Sequence, residues 1–467
     1  MPSLTLRSTS NRSRRGVKAR RRTELGLLVA AGVIVVVTYV LMILGNTSKV
    51  PSDLAPLLVT ILLLGGVTHL ANRIFVPDAS AVVLPIVFLL NGLGYVMISR
   101  IDLGTGKHYA PLQAAWTAGG VAAYILTFVI VRRSRDLDRY RYLLLGFGVV
   151  LLLLPLVPGL GANIGGARLW IQVSSFEFQP IELAKIVLCI FFASYFADKR
   201  ELLTIPTARF GNRLVLDPRP LVPIVLAWAF AVLVMSLEHD IGFSALLFTL
   251  FIGLLWVTTG RTGYLVLGLV LFAAGAYVSS KYFSQTHIRV EDWLNPWRLA
   301  NGSGYQLTQT WYAMGNGGVA GTGLGLGSLA YILNTTSRTD FIFGVISEEM
   351  GLLGGTMVVV AFLLLVGAGL RIAQTARSEF AKLVATGLTL IIGFQAFFII
   401  GGIVRLLPLT GITLPFISYG GSALIANYVL VALLMRISDE GSAAVDAAEE
   451  ARYEEDLERR RRLLTGS

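Results

Sequence analysis

The sequence predicts an all-α, polytopic integral membrane protein, and three observations indicate this class. Hydrophobic residues make up 55% of the 467 residues and charged residues only 14%, whereas a soluble domain carries about a quarter charged residues. The mean hydropathy is +0.70. Apolar runs of about 16 to 30 residues recur along the chain, which as helices cross a bilayer core of about 30 Å. These runs do not alternate apolar and polar residues as the strands of a membrane barrel do.

Twelve apolar runs predict about twelve transmembrane helices within residues 24–437. The first run follows a basic tail, residues 1–23, and exceeds the apolar core of about 7–15 residues in a signal peptide, so we expect a retained span. Residues 281–340 form the predicted long outer loop, and residues 438–467 a second charged tail. The predicted spans are Leu25–Leu44, Leu54–Leu70, Ala79–Ile98, Leu112–Val131, Tyr142–Val157, Ile181–Phe196, Leu221–Leu237, Ile241–Val257, Gly263–Val278, Phe341–Leu370, Leu383–Ile403 and Phe416–Met435.

The distribution of cations predicts the orientation in the cytoplasmic membrane. If the amino terminus is cytoplasmic, every cation-rich loop also falls inside, the outer loops are poor in cations for their length, and both tails are cytoplasmic. The net charge of +11 is spread over these loops, which argues against nucleic acid binding. A single cysteine, Cys189, excludes an intrachain disulfide, and the four histidines lack metal-ligand spacing. The inner cations include Arg73, Arg132–Arg141, Lys199–Arg219, Arg261, Arg371–Lys382 and Arg436.

A first cluster of polar residues stands at the outer end of the span that begins at Ile181. It comprises Arg168, Trp170, Gln179, Glu182 and Lys185. Glu182 and Lys185 are three residues apart and therefore share one helix face. The pair is either an internal ion pair that orients the helix or part of an anion site. In the second interpretation Arg168 and Lys185 bind the anion while Glu182 positions the lysine.

Further polar residues mark the outer ends of other spans. Glu238 and Asp240 share a short outer turn. Two carboxylates so close together need a partner cation, and in the simplest interpretation Arg168 or Lys185 provides it. Arg405 and Ser418 flank a segment of small residues and hydroxyls that could also serve helix packing. Polar groups at membrane depth must be satisfied. Together with the long loop, these clusters predict one cavity open to the outer leaflet.

Several stretches in this order resemble the SEDS family of bacterial cell-wall assembly, the FtsW, RodA and SpoVE proteins. The likeness covers the chain from about Leu143 to Ile437, and two extra spans at the amino end resemble the RodA-like branch of actinobacteria. Separate motifs that occur in family order are far more specific than any one of them. The matching stretches are Gly166–Trp170, Phe178–Lys185, Asn295–Trp297, Gly302–Gln309, Thr339–Phe343, Glu348–Gly351, Leu407–Gly411 and Ser418–Ser422.

The resemblance implies a glycosyltransferase that polymerises lipid II, an undecaprenyl-pyrophosphate-linked precursor, outside the membrane in cell-shape or division machinery. It also implies a class B penicillin-binding transpeptidase as partner. Such a reaction needs cations or a metal at the leaving pyrophosphate and a base at the acceptor hydroxyl. In that framework Tyr305, Gln306 and Asp340 are expected to contact the sugar or order the loop, and Arg405 to lie at the cavity floor.

One departure from the family pattern concerns the catalytic carboxylate. The resemblance places an aspartate where this chain has Leu299, which can neither accept a proton nor bind a metal. Asp292, seven residues upstream, is the candidate substitute. The alternatives are a catalytically altered scaffold that activates its transpeptidase, or a transporter (flippase) of the lipid-linked precursor. No cofactor is assigned, and a divalent cation held by Glu182, Glu238 and Asp240 is left open.

Overall fold

The computed structural model describes residues 3–46, 54–164, 167–173, 176–204, 208–210, 213–215, 241–334 and 336–465, with a few positions between 222 and 233. Helices dominate these residues and confirm the all-α membrane class. The first eight helices are α1 (Ser3–Asn46), α2 (Leu54–Phe75), α3 (Val83–Thr105), α4 (Ala110–Ile130), α5 (Ser134–Arg139), α6 (Arg141–Leu153), α7 (Ile181–Asp198) and α8 (Arg200–Thr204).

The second half of the chain continues the helical pattern. Its helices are α9 (Ile241–Thr259), α10 (Gly263–Tyr282), α11 (Ser284–Leu294), α12 (Tyr305–Gly317), α13 (Leu329–Leu333), α14 (Ile342–Glu349), α15 (Gly351–Thr375), α16 (Glu379–Ile403) and α17 (Gly421–Thr465). The predicted long loop therefore holds three helices, α11 to α13. Short antiparallel strands precede α7, with β2 (Ala167–Val173) between β1 (Gly161–Ile164) and β3 (Phe176–Phe178). A second hairpin pairs β4 (Ala208–Phe210) with β5 (Arg213–Val215).

Nine of the helices within the described ranges are long and apolar enough to cross a membrane. They correspond to nine of the twelve predicted spans. Helix α6 is a shorter apolar helix, and α7 is 18 residues long but carries Glu182, Lys185 and Asp198. The predicted span Leu221–Leu237 lies mostly outside the described residues.

The prediction of one continuous span over Phe341–Leu370 is wrong, because the structure breaks it into α14 and α15. The break falls at Gly351, whose φ of +66° suits glycine. A Cβ atom on Gly351 would overlap the backbone nitrogen of Gly321, and one on Gly321 would overlap the carbonyl oxygen of Glu349. The glycine-rich segment before α13 therefore packs backbone to backbone against the break, which explains its composition.

Two neighbouring carboxylates at the end of α14 bind this glycine-rich segment. Glu348 accepts hydrogen bonds from the backbone nitrogens of Ser328 and Leu329, at 2.8 and 2.9 Å. Glu349 accepts from the nitrogen of Gly325 at 2.8 Å and pairs with Arg100 of α3 at 2.9 Å. The Arg100 and Glu349 side chains are both fully buried. A buried ion pair thus joins α3 to α14, and Glu349 extends this contact to the outer loop through Gly325.

Side-chain contacts hold the cation-rich loops together on one face of the helix bundle. Arg436 of α17 donates to the carbonyl oxygens of Phe75 and Val131, at the ends of α2 and α4. Around it, further contacts join Ser134 to Glu440, Asp138 to Ser194, Arg141 to Asp198, Arg200 to Glu379 and Arg261 to Thr204. The loops predicted to lie on the cytoplasmic side are therefore neighbours in the structure.

Helices α1 and α2 attach to the rest of the bundle through a buried polar cluster. His69 Nδ1 lies 2.7 Å from Glu24 Oε1, and Asn72 donates to the same oxygen at 3.3 Å. The Tyr124 hydroxyl of α4 donates to Asn72 Oδ1 at 2.5 Å. Apolar packing completes the joint, since Val35 of α1 lies so close to Gly92 of α3 that a Cβ there would clash.

The buried ion pair between α3 and α14 gives a testable prediction. We expect Arg100→Met to leave the Glu349 charge buried and unpaired and to destabilise the protein by about 3–5 kcal/mol. The double variant Arg100→Met, Glu349→Met should lose much less than the sum of the two single variants. Thermal unfolding of the purified protein in detergent measures both, and Arg298→Met, at an exposed position, is the control, with an effect within about 0.5 kcal/mol. Additive losses would contradict the pairing.

Candidate functional site

An irregular segment between α16 and α17, residues 404–420 (the hub loop), lies at the centre of the polar contacts on the face opposite the cation-rich loops. Its backbone accepts hydrogen bonds from side chains of α16 and α11, and its Ser418 side chain reaches the Thr339 backbone. The Thr413 carbonyl accepts from Gln395 of α16 at 3.1 Å, and the Thr410 carbonyl from Arg289 of α11 at 2.6 Å. Ser418 donates to the Thr339 carbonyl at 2.6 Å. Non-helical backbone in a membrane protein needs such partners, because unsatisfied groups cost several kcal/mol.

Lys185 lies behind the hub loop in a fully enclosed polar group. Its Nζ is 2.5 Å from Glu182 Oε2 and 2.9 Å from Gln395 Oε1, and it sits 5.5 Å above the Phe243 ring of α9. The Lys185 side chain is 2% exposed and that of Glu182 is 0% exposed. Glu182 Oε1 has no hydrogen-bond partner within the described residues. The predicted pairing of Glu182 with Lys185 is therefore present, and one carboxylate oxygen stays available.

The beginning of α9 also packs against the hub loop. A Cβ atom on Gly242 would lie 2.6 Å from Ile412 and 2.8 Å from the Thr410 oxygen. Glu238 and Asp240, which precede α9 by a few residues, lie outside the described residues. The predicted proximity of these two carboxylates to Lys185 stays a prediction.

The segment before α7 reaches the same region from the other side. The Gln179 backbone nitrogen donates to Ser422 Oγ, in the first turn of α17, at 3.1 Å, and the Gln179 side chain is buried. Trp170 is partly buried on β2, opposite Ala162 of β1. Arg168 lies on β2, but its side chain is not described. Its predicted pairing with Lys185 on one anion is therefore untested.

Asp340 and Arg289 are the part of the site that the outer loop contributes. Desolvation by the surrounding protein raises the pKa of the Asp340 carboxyl from its ordinary value of 3.8 to about 6. The positive charge of Arg289 and a hydrogen bond with Thr339 act in the opposite direction. The neighbouring Ser418 accepts from the Leu414 nitrogen at 3.0 Å. Asp340 thus carries a carboxyl group that can exchange a proton near neutral pH.

Arg405 is exposed and contacts the end of α11, and its predicted place at the floor of a cavity stays a prediction. Its guanidinium donates to the carbonyl oxygens of Trp293 and Leu294 at 3.1 and 3.0 Å, and Trp293 Nε1 donates back to the Arg405 carbonyl at 3.1 Å. Arg405 adopts φ 65° and is exposed. These hydrogen bonds hold the end of α11 against the hub loop.

Asp292, the candidate catalytic carboxylate, faces the interior of the outer loop. It is 8% exposed and accepts a hydrogen bond from Ser303 Oγ at 2.6 Å. This bond ties α11 to the turn just before α12. Leu299 lies between Asp292 and Ser303 in the sequence and is partly buried. Tyr305 and Gln306, at the start of α12, are exposed.

Two residues that the sequence analysis did not single out connect these parts. Gln395 links Lys185 to the hub loop, and Arg289 links α11 to Thr410 and acts on Asp340. A lone amide inside the apolar run Leu383–Ile403 was a usable signal for Gln395, because polar groups inside a span need partners. Arg289 gave no such signal in a loop rich in polar residues.

A metal would need ligands that the described part of the site does not gather. Among the described residues, no group of three or more His, Cys, Asp and Glu side chains is close enough together to hold a metal ion. The divalent cation considered from the sequence would depend on Glu238 and Asp240 beside Glu182.

Comparison with known proteins identifies the family. A family model for FtsW, RodA and SpoVE, described as "Cell cycle protein", matches residues 79–443. The chain belongs to this family. The match includes the hub loop, α7 and the whole outer loop, and it begins after α1 and α2.

Named relatives agree with this assignment. The chain is 40% identical over 426 residues to "Peptidoglycan glycosyltransferase RodA" of Mycobacterium tuberculosis, which covers 90% of each protein. It is 34% identical over 333 residues to "Probable peptidoglycan glycosyltransferase FtsW" of Geobacter metallireducens, 71% of this chain and 85% of that protein. Stage V sporulation protein E of Bacillus subtilis is 35% identical over 291 residues, 62% and 76% of the two chains. The predicted family is confirmed, and these names favour a glycosyltransferase over a scaffold or a transporter.

Solved structures share the fold. A chain from a peptidoglycan synthase complex, studied for its coordination of polymerization and crosslinking, matches with a TM-score of 0.61 and 25% identity, covering 76% of this chain and 96% of that one. The rod shape determining protein RodA of Thermus thermophilus matches with a TM-score of 0.53 and 25% identity, over 76% and 94% of the chains. The multi-pass membrane architecture is therefore shared with known members.

The raised pKa of Asp340 predicts a titration near neutral pH. Because the pKa in the folded protein exceeds the ordinary value, the protonated form is favoured below about pH 6 and its stabilising contribution is lost as the pH rises through that value. Infrared difference spectra between pH 5 and pH 7 should show loss of a protonated carboxyl band. The Asp340→Asn variant should lack this part of the signal, and Asp292→Asn should keep it. An unchanged spectrum in Asp340→Asn would contradict the assignment.

Proposed function

We propose that this chain is a peptidoglycan glycosyltransferase that polymerises lipid II into glycan strands. The observation that carries this proposal is the hub loop, which joins Lys185 and Gln395 on one side to Arg289 and the Asp340 segment on the other. These residues come from stretches that are far apart in the sequence. Several of them belong to the motifs that the family shares, so the likeness and the geometry point to one site.

We place the site at the outer face of the cytoplasmic membrane. The loops rich in Arg and Lys lie together on the opposite face of the bundle, and the positive-inside rule assigns that face to the cytoplasm. Residues 1–23 and 438–467 are then cytoplasmic tails around a membrane domain of residues 24–437. The long loop 281–340 faces the exterior, where glycan strands are assembled.

The reaction transfers a sugar from a lipid pyrophosphate to a hydroxyl group. The acceptor hydroxyl of one lipid-linked sugar attacks the anomeric carbon of another. The bond from that carbon to the pyrophosphate oxygen breaks, the hydroxyl proton passes to a base, and undecaprenyl pyrophosphate leaves with the electron pair. The protein must therefore supply positive charge at the leaving group and a proton acceptor at the hydroxyl.

Lys185 supplies the positive charge in this proposal. Glu182 and Gln395 hold its ammonium group in a site with almost no exposure to water, where a charge interacts more strongly than in bulk solvent. When the pyrophosphate enters, Lys185 can turn one donor to it while Glu182 keeps the amine oriented. Arg168 joins it on the substrate side, with Trp170 and Gln179 lining the approach.

The proton acceptor in this proposal is Asp292, since Leu299 cannot take that part. Ser303 fixes one oxygen of the Asp292 carboxylate, and the other oxygen is the acceptor for the hydroxyl proton. Tyr305 and Gln306 contact the sugar, Asp340 and Arg405 order the loop, and Ser418 holds the hub loop to Thr339. Glu238 and Asp240 position the cations or hold a divalent cation.

A class B penicillin-binding transpeptidase is the proposed protein partner. A glycan polymer needs crosslinking as it emerges, and the structural relative belongs to a synthase complex that coordinates polymerization and crosslinking. Leu299 keeps one alternative open, a catalytically altered scaffold that activates this transpeptidase. A transporter would move labelled precursor between leaflets without forming polymer.

A polymerisation assay tests the proposed enzyme. The purified complex with its transpeptidase should convert lipid II to glycan polymer. Lys185→Met should reduce the rate by at least about 100-fold, because it removes a charge from the leaving group, and Asp292→Asn by about 100-fold or more, because it removes the base. Arg371→Met, an exposed change on the opposite face, should leave the rate unchanged.

Three outcomes distinguish the alternatives. Wild-type protein that makes no polymer contradicts the enzyme and supports the scaffold if transpeptidase activity still rises in the complex. Polymer formation that survives Asp292→Asn rejects Asp292 as the base. Precursor movement between leaflets without polymer identifies a transporter.

Cysteine labelling tests the orientation of the chain. The single native Cys189 is fully buried, so new cysteines at exposed positions can be labelled selectively. A membrane-impermeant maleimide added to cells whose outer envelope layers it can cross should label Arg298→Cys but not Arg377→Cys. After the membrane is opened, both should react. The reverse pattern would place the outer loop in the cytoplasm.

A further inference from the structure

Helix α12 of the outer loop presents an exposed face without charge. From Tyr305 to Gly317 the helix contains no Asp, Glu, Lys or Arg. Solvent-facing helices outside the membrane normally carry charged residues on the exposed side. Tyr305, Gln309, Tyr312 and Asn316 follow a spacing of four, three and four residues and therefore line one face. An uncharged amide and phenol face on an external loop needs an explanation.

The opposite face of α12 is fixed rigidly to the bundle. Leu307, Thr308, Thr310, Ala313 and Gly317 are buried. A Cβ atom on Gly344 of α14 would lie 2.5 Å from Thr310, and one on Gly317 would lie 2.6 Å from the Glu348 carbonyl oxygen. Such close packing leaves α12 little freedom to turn. Its exposed face is therefore held in a fixed direction, as a binding surface requires.

Aromatic rings widen this face beside the helix. The Trp297 ring lies 5.4 Å from that of Trp311 and 5.6 Å from that of Tyr312. Trp311 is anchored by a hydrogen bond of 2.6 Å from Nε1 to the Ile403 carbonyl. Trp297 and Tyr312 are 53% and 55% exposed, and Tyr305 is 41% exposed. Large rings that stay exposed on an ordered loop mark a contact surface.

We propose that this face, the α12 strip (Trp297, Tyr305, Gln306, Gln309, Tyr312 and Asn316), binds the glycan product beside the catalytic site. Sugar rings have apolar C–H faces that pack on aromatic rings, and hydroxyl and acetamido groups that bond to amides. The strip offers both kinds of group and carries no charge. Its helical part begins at Tyr305, directly after the Ser303 turn that bonds to Asp292, so it continues from the proposed site. The inference rests on the proposed function and extends it to the polymer.

The composition of the strip favours a sugar polymer over other occupants. Interfacial aromatic residues that anchor a helix to lipid lie at the ends of spans, whereas α12 is separate from the described spans. A lipid phosphate would need cations, which α12 lacks. The amide side chains of Gln306, Gln309 and Asn316 supply paired hydrogen-bond donors and acceptors, which the acyl chains of a lipid cannot use.

Titration with a soluble oligomer of N-acetylglucosamine tests the inference without relying on catalysis. Isothermal titration of the full-length protein in nanodiscs should detect binding. The double variant Trp297→Ala, Tyr312→Ala should weaken it by about tenfold or more, since two aromatic contacts are removed. Gln309→Ala should weaken it less. Tyr282→Ala removes a ring that is 81% exposed at the end of α10 and is not part of the strip, and this variant should bind as wild type does.

The outcomes separate the strip from the polymerase. Lys185→Met should keep the wild-type affinity for the oligomer while losing polymer formation. Wild-type protein that binds the oligomer but makes no polymer would support the strip and contradict the proposed polymerase activity. Absence of binding by wild type, or equal binding by the double variant, overturns the inference. Unchanged sugar binding with loss of transpeptidase co-purification would assign the face to the partner protein and overturn it as well. Wild-type thermal unfolding of the double variant excludes misfolding as the cause.

Discussion

The hydrogen bonds that satisfy the hub loop are the constraint on which the site depends. Residues 404–420 connect two long helices without being helical themselves, so their buried backbone groups need hydrogen-bond partners within the protein. Gln395 of α16 and Arg289 of α11 donate to carbonyl oxygens of the loop, and Ser418 within the loop accepts from the Leu414 nitrogen and donates to the Thr339 carbonyl. The same side chains reach Lys185, α11 and the Asp340 segment. Keeping the loop satisfied and assembling the polar site are therefore one physical requirement.

A second junction ties the outer loop to the helices that carry it. Glu348 and Glu349 bind the glycine-rich segment, and Arg100 brings in α3. This junction explains why a run that reads as one span is broken in two. Helix α12 packs against α14 just beside it, so the position of the outer loop follows from the break. Buried polar contacts therefore hold both the hub loop and the glycine-rich segment of the outer loop in place.

The sequence predicted the class and most spans because long apolar runs are a direct consequence of bilayer thickness. It paired Glu182 with Lys185 because spacing on a helix fixes neighbours. It could not foresee the break at Gly351, because the composition on both sides of it is mostly apolar. The change of direction there follows from the close packing of Gly351 on Gly321, which the sequence does not show. It could not foresee that the Arg405 guanidinium binds the end of α11, because spacing says nothing about contacts between distant segments.

The polar joint among Glu24, His69, Asn72 and Tyr124 has a consequence for the two leading helices. In a bilayer, apolar side chains gain little free energy by leaving lipid for another helix. Apolar packing alone therefore does not select one partner helix or one rotation of a helix about its axis. A short chain of directional bonds does select them. These helices precede the part of the sequence that the family model matches. The polar cluster therefore fixes the orientation of these two helices relative to α4, in addition to the apolar packing that they share with α3.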